Sequence, residues 1–159
     1  MNKDVFHKRN SVEQVEESKE LAPRFNEEGL IPVVVTSSID GAVLMLGFMN
    51  AEAFSLTVEN GEGYYWSRSR QSIWRKGETS GLVHKIIEMR IDDDQDSVWL
   101  SVSINGKEAS CHVGYRSCFY RSIPIGKKLS KNTTLKFVEN KKIFDPKEVY
   151  GDIPNPTKL

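Results

Sequence analysis

Cysteine is scarce in this chain: Cys111 and Cys118 are the only two among 159 residues. Two thiols are too few for a disulfide scaffold, so they read as buried thiols or metal ligands. Neither charge sign prevails, with 22 Lys plus Arg against 22 Asp plus Glu. No global field therefore recruits nucleic acid or an acidic membrane. The longest apolar run, Ala42 to Met49, is far short of the roughly 20 residues a membrane helix needs. The first twenty residues lack the apolar stretch of a signal peptide, so a cytoplasmic protein is expected. Internal repeats and low-complexity blocks are missing as well. So are the Walker A spacing, the EF-hand glycine and distal glutamate, and the paired H-x-E and P-C-x-x-C of zinc deaminases.

What is present suits one domain with a real core, at 38% hydrophobic and 28% charged residues. Residues 1–20 are polar and read as a peripheral helix or loose arm without strong caps. "GLIPVVVTSSIDGAVLMLGFMN" reads as two strands around an Asp40-Gly41 turn. Asn50 is expected to cap a short helix that Gly61 stops. "YYWSRSR" alternates like a strand, with Tyr64, Trp66, Arg68 and Arg70 on one side. His84 to Ile104 reads as one long or bulged strand. Asn105-Gly106 should turn it back into a strand through "KEASCHV". The expected organisation is an arm at 1–28, a domain at 29–123 and an extension at 124–159, in the α+β or mainly β class.

Three constellations carry chemistry. Strand alternation would set Asp92, Asp94 and Asp96 on one face and Asp93 on the other. Three converging carboxylates repel unless a hard cation, magnesium or calcium, neutralises them. The competing reading is a solvated acidic strand end that guards a sheet edge.

Next is "CHVGYRSC". Pairing across Asn105-Gly106 sets Leu100 opposite Cys111, which puts Cys111 on the face of the three acids. Cys111 and Cys118 could chelate zinc, with the missing ligands drawn from His112, His84, Asp93, water or another subunit. Two ordinary buried cysteines are the alternative. His112, adjacent to Cys111, is a candidate catalytic group.

The third is "WSRSRQSIWRKGETSG". Arg68, Arg70, Arg75 and Lys76 stand beside hydroxyls and glycine amides, a composition suited to phosphates. Trp66 and Trp74 could stack on a base, although aromatic strand residues are more often core. A solvated basic turn is the default for this segment alone.

Together, "YYWSRSRQSIWRKGETSG", the D-x-D-x-D run and "SCHVGYRSCFYR" resemble the phosphoribosyl-AMP cyclohydrolase family of histidine biosynthesis. The similarity spans about Gly29 to Arg121. It implies hydrolysis of the N1–C6 bond of the adenine ring in 1-(5-phosphoribosyl)-AMP. It also implies a small β-rich pseudobarrel with flanking helices, assembled as an intertwined homodimer with shared active sites. The implied cofactors are magnesium on Asp92, Asp94 and Asp96, and zinc with Cys111 and Cys118 as two of three thiolates. His112 is the implied general acid/base, with His84 a second catalytic or ligand candidate. Arg68, Arg70, Trp74, Lys76, Glu78, Thr79 and Ser80 are the implied substrate contacts.

The chain also departs from that family. Asp93 stands where the third zinc cysteine is expected, Leu82 where a histidine is usual, and His84 is displaced by two positions. Oxygen in place of sulfur hardens the metal site and weakens its preference for zinc against manganese, iron or magnesium. Leu82 and His84 leave open a relative acting on another purine-like ring. A degenerate binding protein is the non-enzymatic alternative, against which stand the retained cysteines, His112 and three acids.

Overall fold

The computed structural model of the chain describes residues 5–106 and 108–159. The first four residues of the expected arm, and Lys107 of the strand expected after Asn105-Gly106, lie outside the described residues.

Alternating apolar side chains build the centre. In β1 (Ile31–Ser37), Ile31, Val33 and Val35 are fully buried on one face, as the two-residue period of a strand requires. β1 pairs antiparallel with β2 (Val43–Met49) and parallel with β6 (Val98–Ile104). β5 (His84–Ile91) pairs antiparallel with β6 and completes a sheet of order β2-β1-β6-β5. Val98, Leu100 and Val102 join the β1 residues and Met45 and Met49 in one core.

α2 (Ala51–Asn60) covers that core through Ala53 and Phe54. The Asn50 side chain accepts from the Ala53 amide at 2.8 Å, and Gly61, at φ 66°, ends the helix as expected. Such a cap is worth about 1 kcal/mol. A ribbon of β3 (Tyr64–Ser67) and β4 (Ser72–Arg75) adds the buried Tyr65. β7 (Arg121–Ser122) pairs with β8 (Lys136–Phe137). Helices α1 (Val12–Glu17) and α3 (Pro146–Tyr150) are short. The architecture is small, strand-rich α+β; among the described residues no sheet closes into a barrel.

Four expectations are corrected. The single strand from His84 to Ile104 is a hairpin, because Asp92 to Ser97 form the turn between β5 and β6. Asp92 Oδ1 accepts the amides of Asp96 and Ser97 at 2.9 and 3.0 Å, and Gln95 takes a left-handed φ of 57°. Such Asx-type turns compete with strand hydrogen bonding.

The strand through Arg70 stops at Ser67, where a turn containing Gln71 at φ 52° begins. The segment after Gly106 does not return along β6: Leu100 lies between Val35 and Met89, not opposite Cys111. Finally, the arm does carry a cap. Ser11 Oγ accepts from the Gln14 amide at 3.0 Å while Gln14 Oε1 accepts from the Asn10 amide at 2.7 Å, close to a capping box.

Candidate active site

The β5–β6 ladder separates the two chemical clusters. His84 faces Ile104 at one end and Ile91 faces Val98 at the other. The acids follow Ile91, whereas Cys111 lies beside the His84 end. Seven strand steps put them about 20 Å apart within one chain.

At the acid end, carboxylate oxygens of Asp92, Asp94 and Asp96 lie within 4.8 Å of one another. The turn brings them together, not strand alternation. Asp93 is exposed and lies outside that group. Desolvation and the neighbouring acids Asp96, Asp92 and Asp93 raise the Asp94 carboxyl above its ordinary range, since both disfavour the charged form. Gln95 anchors the turn from behind. Its Oε1 accepts from the Ala22 amide at 2.8 Å, and its Nε2 donates to the Val15 carbonyl at 2.9 Å. Arg9 donates to the Asp94 carbonyl at 2.8 Å. Arg24, Phe25 and Pro32 line a cleft of about 590 Å³ beside Asp96. No local pattern pointed to Gln95, Arg9 or Arg24, because their contacts join the turn to an arm distant in sequence.

At the other end, residues 110–118 form a tight reversal. Ser110 and Cys111 amides donate to the carbonyls of Arg116 and Tyr115 at 2.8 and 3.2 Å. Cys118 and Ser117 then dock on β2: the Cys118 amide donates to the Leu44 carbonyl at 2.7 Å, and Ser117 Oγ to the Val43 carbonyl at 2.8 Å. Arg116 fastens the loop to Glu108, at 2.9 Å from its Nε, and to Asp40, at 2.9 Å.

This folding brings the two cysteines close enough for each to shift the other's thiol. The hydrogen bond from Cys118 lowers the Cys111 thiol to about 6, and Cys118, as the donor, is pushed up. Cys111 is buried and Cys118 exposed.

Lys76 is buried against this loop, its Nζ donating to the Ser110 carbonyl at 2.6 Å. Burial depresses its ammonium, and the thiols Cys118 and Cys111 oppose that effect. His84 is fully buried, with Nδ1 2.9 Å from the Tyr65 hydroxyl and Nε2 3.1 Å from Ser110 Oγ. Burial and the Lys76 charge lower its imidazole to about 3, so it is neutral. His112 differs: its Nε2 is buried without a hydrogen-bond partner among the described residues. Burial, then Lys76, lowers its affinity for a proton, while the Asn155 side chain favours the charged form.

The basic segment divides. Arg68 and Arg70 are exposed, Arg68 lying 4.2 Å from the Phe48 ring and Arg70 6.0 Å from the Trp74 ring. Arg75 pairs with Glu62 at 2.5 Å. Trp74 packs on Tyr65, with centroids 5.3 Å apart. Glu78 and Thr79 are exposed and Ser80 half-buried, on the loop that ends at Val83. Ser80 Oγ accepts from the Leu82 amide at 3.2 Å. The loop is tight at Gly77 (φ 88°), where a Cβ would collide with Leu82 and Val83 backbone.

Comparison with known proteins places these segments within one family match. The family model for phosphoribosyl-AMP cyclohydrolase matches residues 45–120, which include the basic loop, the acid turn and the cysteine loop. The phosphoribosyl-AMP cyclohydrolase of Rhizobium leguminosarum bv. trifolii is 46% identical over 139 residues, 86% of this chain and 89% of that one. That of Sinorhizobium medicae is 49% identical over 130 residues, covering 82% and 84%. That of Rhodopseudomonas palustris is 49% identical over 138 residues, covering 87% and 92%.

Proposed function

The chain belongs to the phosphoribosyl-AMP cyclohydrolase family, and from that premise we propose that it hydrolyses the N1–C6 bond of the adenine ring in 1-(5-phosphoribosyl)-AMP. It would do so as a cytoplasmic enzyme of histidine biosynthesis. The observation that carries the reading is His112. Its buried Nε2 has no partner among the described residues and lies in the loop that pairs the two cysteines. A nitrogen so held is free to exchange a proton with a reactant.

The donor sets fit two kinds of divalent ion. Three carboxylate oxygens within 4.8 Å suit magnesium. Paired sulfurs suit zinc or a substitute, and Asp93 as a third donor would harden that site towards manganese or iron. When bound, the ion at the cysteines would supply Lewis-acid activation of the attacking water, and magnesium would offset substrate phosphate charge.

The protein's own groups would do the rest. His112 would accept a proton as water adds to C6 and return it to N1 as the bond breaks. Arg68 and Arg70, both exposed, would meet the phosphates, while Trp74, Glu78, Thr79 and Ser80 would frame the base and ribose. Lys76 and His84 would hold Ser110, and through it Cys111, from behind; both His84 nitrogens already have partners.

We read the active unit as an intertwined homodimer, its paired sheets completing a pseudobarrel. The separation of about 20 Å between acids and cysteines along one ladder supports this. A shared site would join the acid turn of one subunit, Asp93 included, to the cysteine loop of its partner.

The test is turnover of 1-(5-phosphoribosyl)-AMP by the full chain, followed by ultraviolet absorbance with magnesium plus zinc, manganese or iron. Ring opening that needs a divalent ion is expected. No turnover with any ion would overturn the reading and favour another purine-like ring.

A further inference from the structure

The segment beyond Ser122 returns onto the cysteine loop. The Val138 amide donates to the Tyr120 carbonyl at 2.9 Å, directly after the β7–β8 pairing. Tyr115 and Tyr120 stack at 4.0 Å, with the Phe137 ring 6.3 and 6.0 Å away. Further on, the Ile143 amide donates to the Gly114 carbonyl at 2.7 Å. The Phe144 carbonyl crosses Gly114 so closely that any Cβ there would collide with it. Gly114 also has φ 103°, so the crossing requires glycine at that position.

Between these contacts stands Glu139. Its Oε1 accepts from the Arg116 amide at 2.9 Å and its Oε2 from the Ser117 amide at 3.2 Å. One carboxylate thus holds the two consecutive amides that precede Cys118. The Cys118 amide is itself fixed on β2. A carboxylate is suited to this task because it only accepts hydrogen bonds and strengthens them by its charge.

We propose that Glu139 is a positioning residue for the cysteine pair, a clasp carried by the C-terminal strap that sets where Cys118 stands relative to Cys111. This rests on reading Cys111 and Cys118 as metal ligands. The amides fix the backbone entering Cys118, and a loop without the clasp would open at its C-terminal half. Cys111 would then lose its cover and the two sulfurs their spacing. The function is set by a residue outside the span that the family model matches, residues 45–120.

Glu139→Ala and the isosteric Glu139→Gln test this on the full chain; Gln keeps one acceptor but turns a second donor towards the amides. Cobalt(II) titration, read by the thiolate-to-cobalt absorption band, should show about tenfold weaker binding and a shifted band in both variants, a change a merely stabilising residue would not produce. Unaltered affinity and spectrum would overturn the proposal. The second arm uses metal-free protein and iodoacetamide, with labelled peptides read by mass spectrometry. Alkylation of buried Cys111 should rise at least fivefold in either variant, and an unchanged rate would overturn the clasp. Absence of the thiolate band in unaltered protein would instead overturn the metal reading, and the alkylation arm alone would then decide the clasp. Should the alanine variant fail to fold, the glutamine variant carries both arms.

Discussion

The Lys76 ammonium and the Ser110 carbonyl are joined by a buried 2.6 Å hydrogen bond. A lysine in a basic, hydroxyl-rich loop reads as a phosphate contact, yet this one has turned inward. Its charge lies against Cys111 and Cys118 and next to His84 and His112. Arg68 and Arg70 are left to face solvent, so the one segment both supports the cysteine loop and exposes two cations.

Lys76→Met keeps the stem and removes the charge. It should raise the pH midpoint for alkylation of Cys111 by at least about half a unit, because the cation that favours the thiolate is gone. Apparent KM should change little if Lys76 contacts no phosphate. A raised KM with an unmoved alkylation midpoint would return Lys76 to the substrate.

His84 links the site to acid stability. Its imidazole is lowered to about 3 in the folded chain, below the unfolded value near 6.5. The unfolded state therefore binds a proton that the folded state refuses. Stability is full above about pH 6.5 and falls by about 1.4 kcal/mol per unit as pH drops from there towards 3. Urea unfolding at pH 7, 6 and 5 should show this slope, and His84→Gln should flatten it. An equal slope in the variant would assign the acid sensitivity elsewhere.

The acid turn should be strained without a cation. At ten times its dissociation constant, magnesium should stabilise the protein by about 1.4 kcal/mol. Asp94→Asn and Asp96→Asn should each remove most of that gain, and Asp94→Asn should stabilise the cation-free protein by relieving repulsion. Thermal unfolding with and without magnesium reads both effects. Asp92 is a poorer probe, because its carboxylate also accepts the Asp96 and Ser97 amides.

Asp93 should decide metal choice. Protein purified without added zinc should be more active with manganese or iron than with zinc, and Asp93→Cys should shift preference to zinc at least tenfold. Competition against a chelator of known affinity measures this. Stoichiometric zinc in unaltered protein, with activity restored by zinc alone, would end the altered-metal reading.

The sequence made the chemistry more legible than the path of the chain. The clustering of Asp92, Asp94 and Asp96 follows from their types and spacing under either geometry, since an Asx turn and a strand both bring alternate residues together. Which geometry applies depended on Asp92 capturing two amides and on Gln95 bonding to the distant arm, and neither is local. Asn50 and Gly61 were legible because helix caps act within one turn. The return after Gly106 was not, because the amides of Ser110 and Cys111 bond within their own loop instead of to β6. Tyr65 and Ser110 stood inside two of the motifs without a role of their own, and Glu139 stood in none; their roles arise only when three segments meet.

That separation of acids from cysteines yields the sharpest test of assembly. Asp94→Ala and Cys111→Ser should each be inactive alone. In a mixed dimer with shared sites, one site collects both lesions and the other collects neither. Random exchange of equal amounts makes half the dimers mixed, each with one sound site, so activity should recover to about a quarter of the unaltered level. Sites built within one chain would recover nothing on mixing, and the acids and cysteines would then serve separate ends of one subunit. Co-denaturation and refolding of the two variants, followed by the turnover assay, separates the two arrangements.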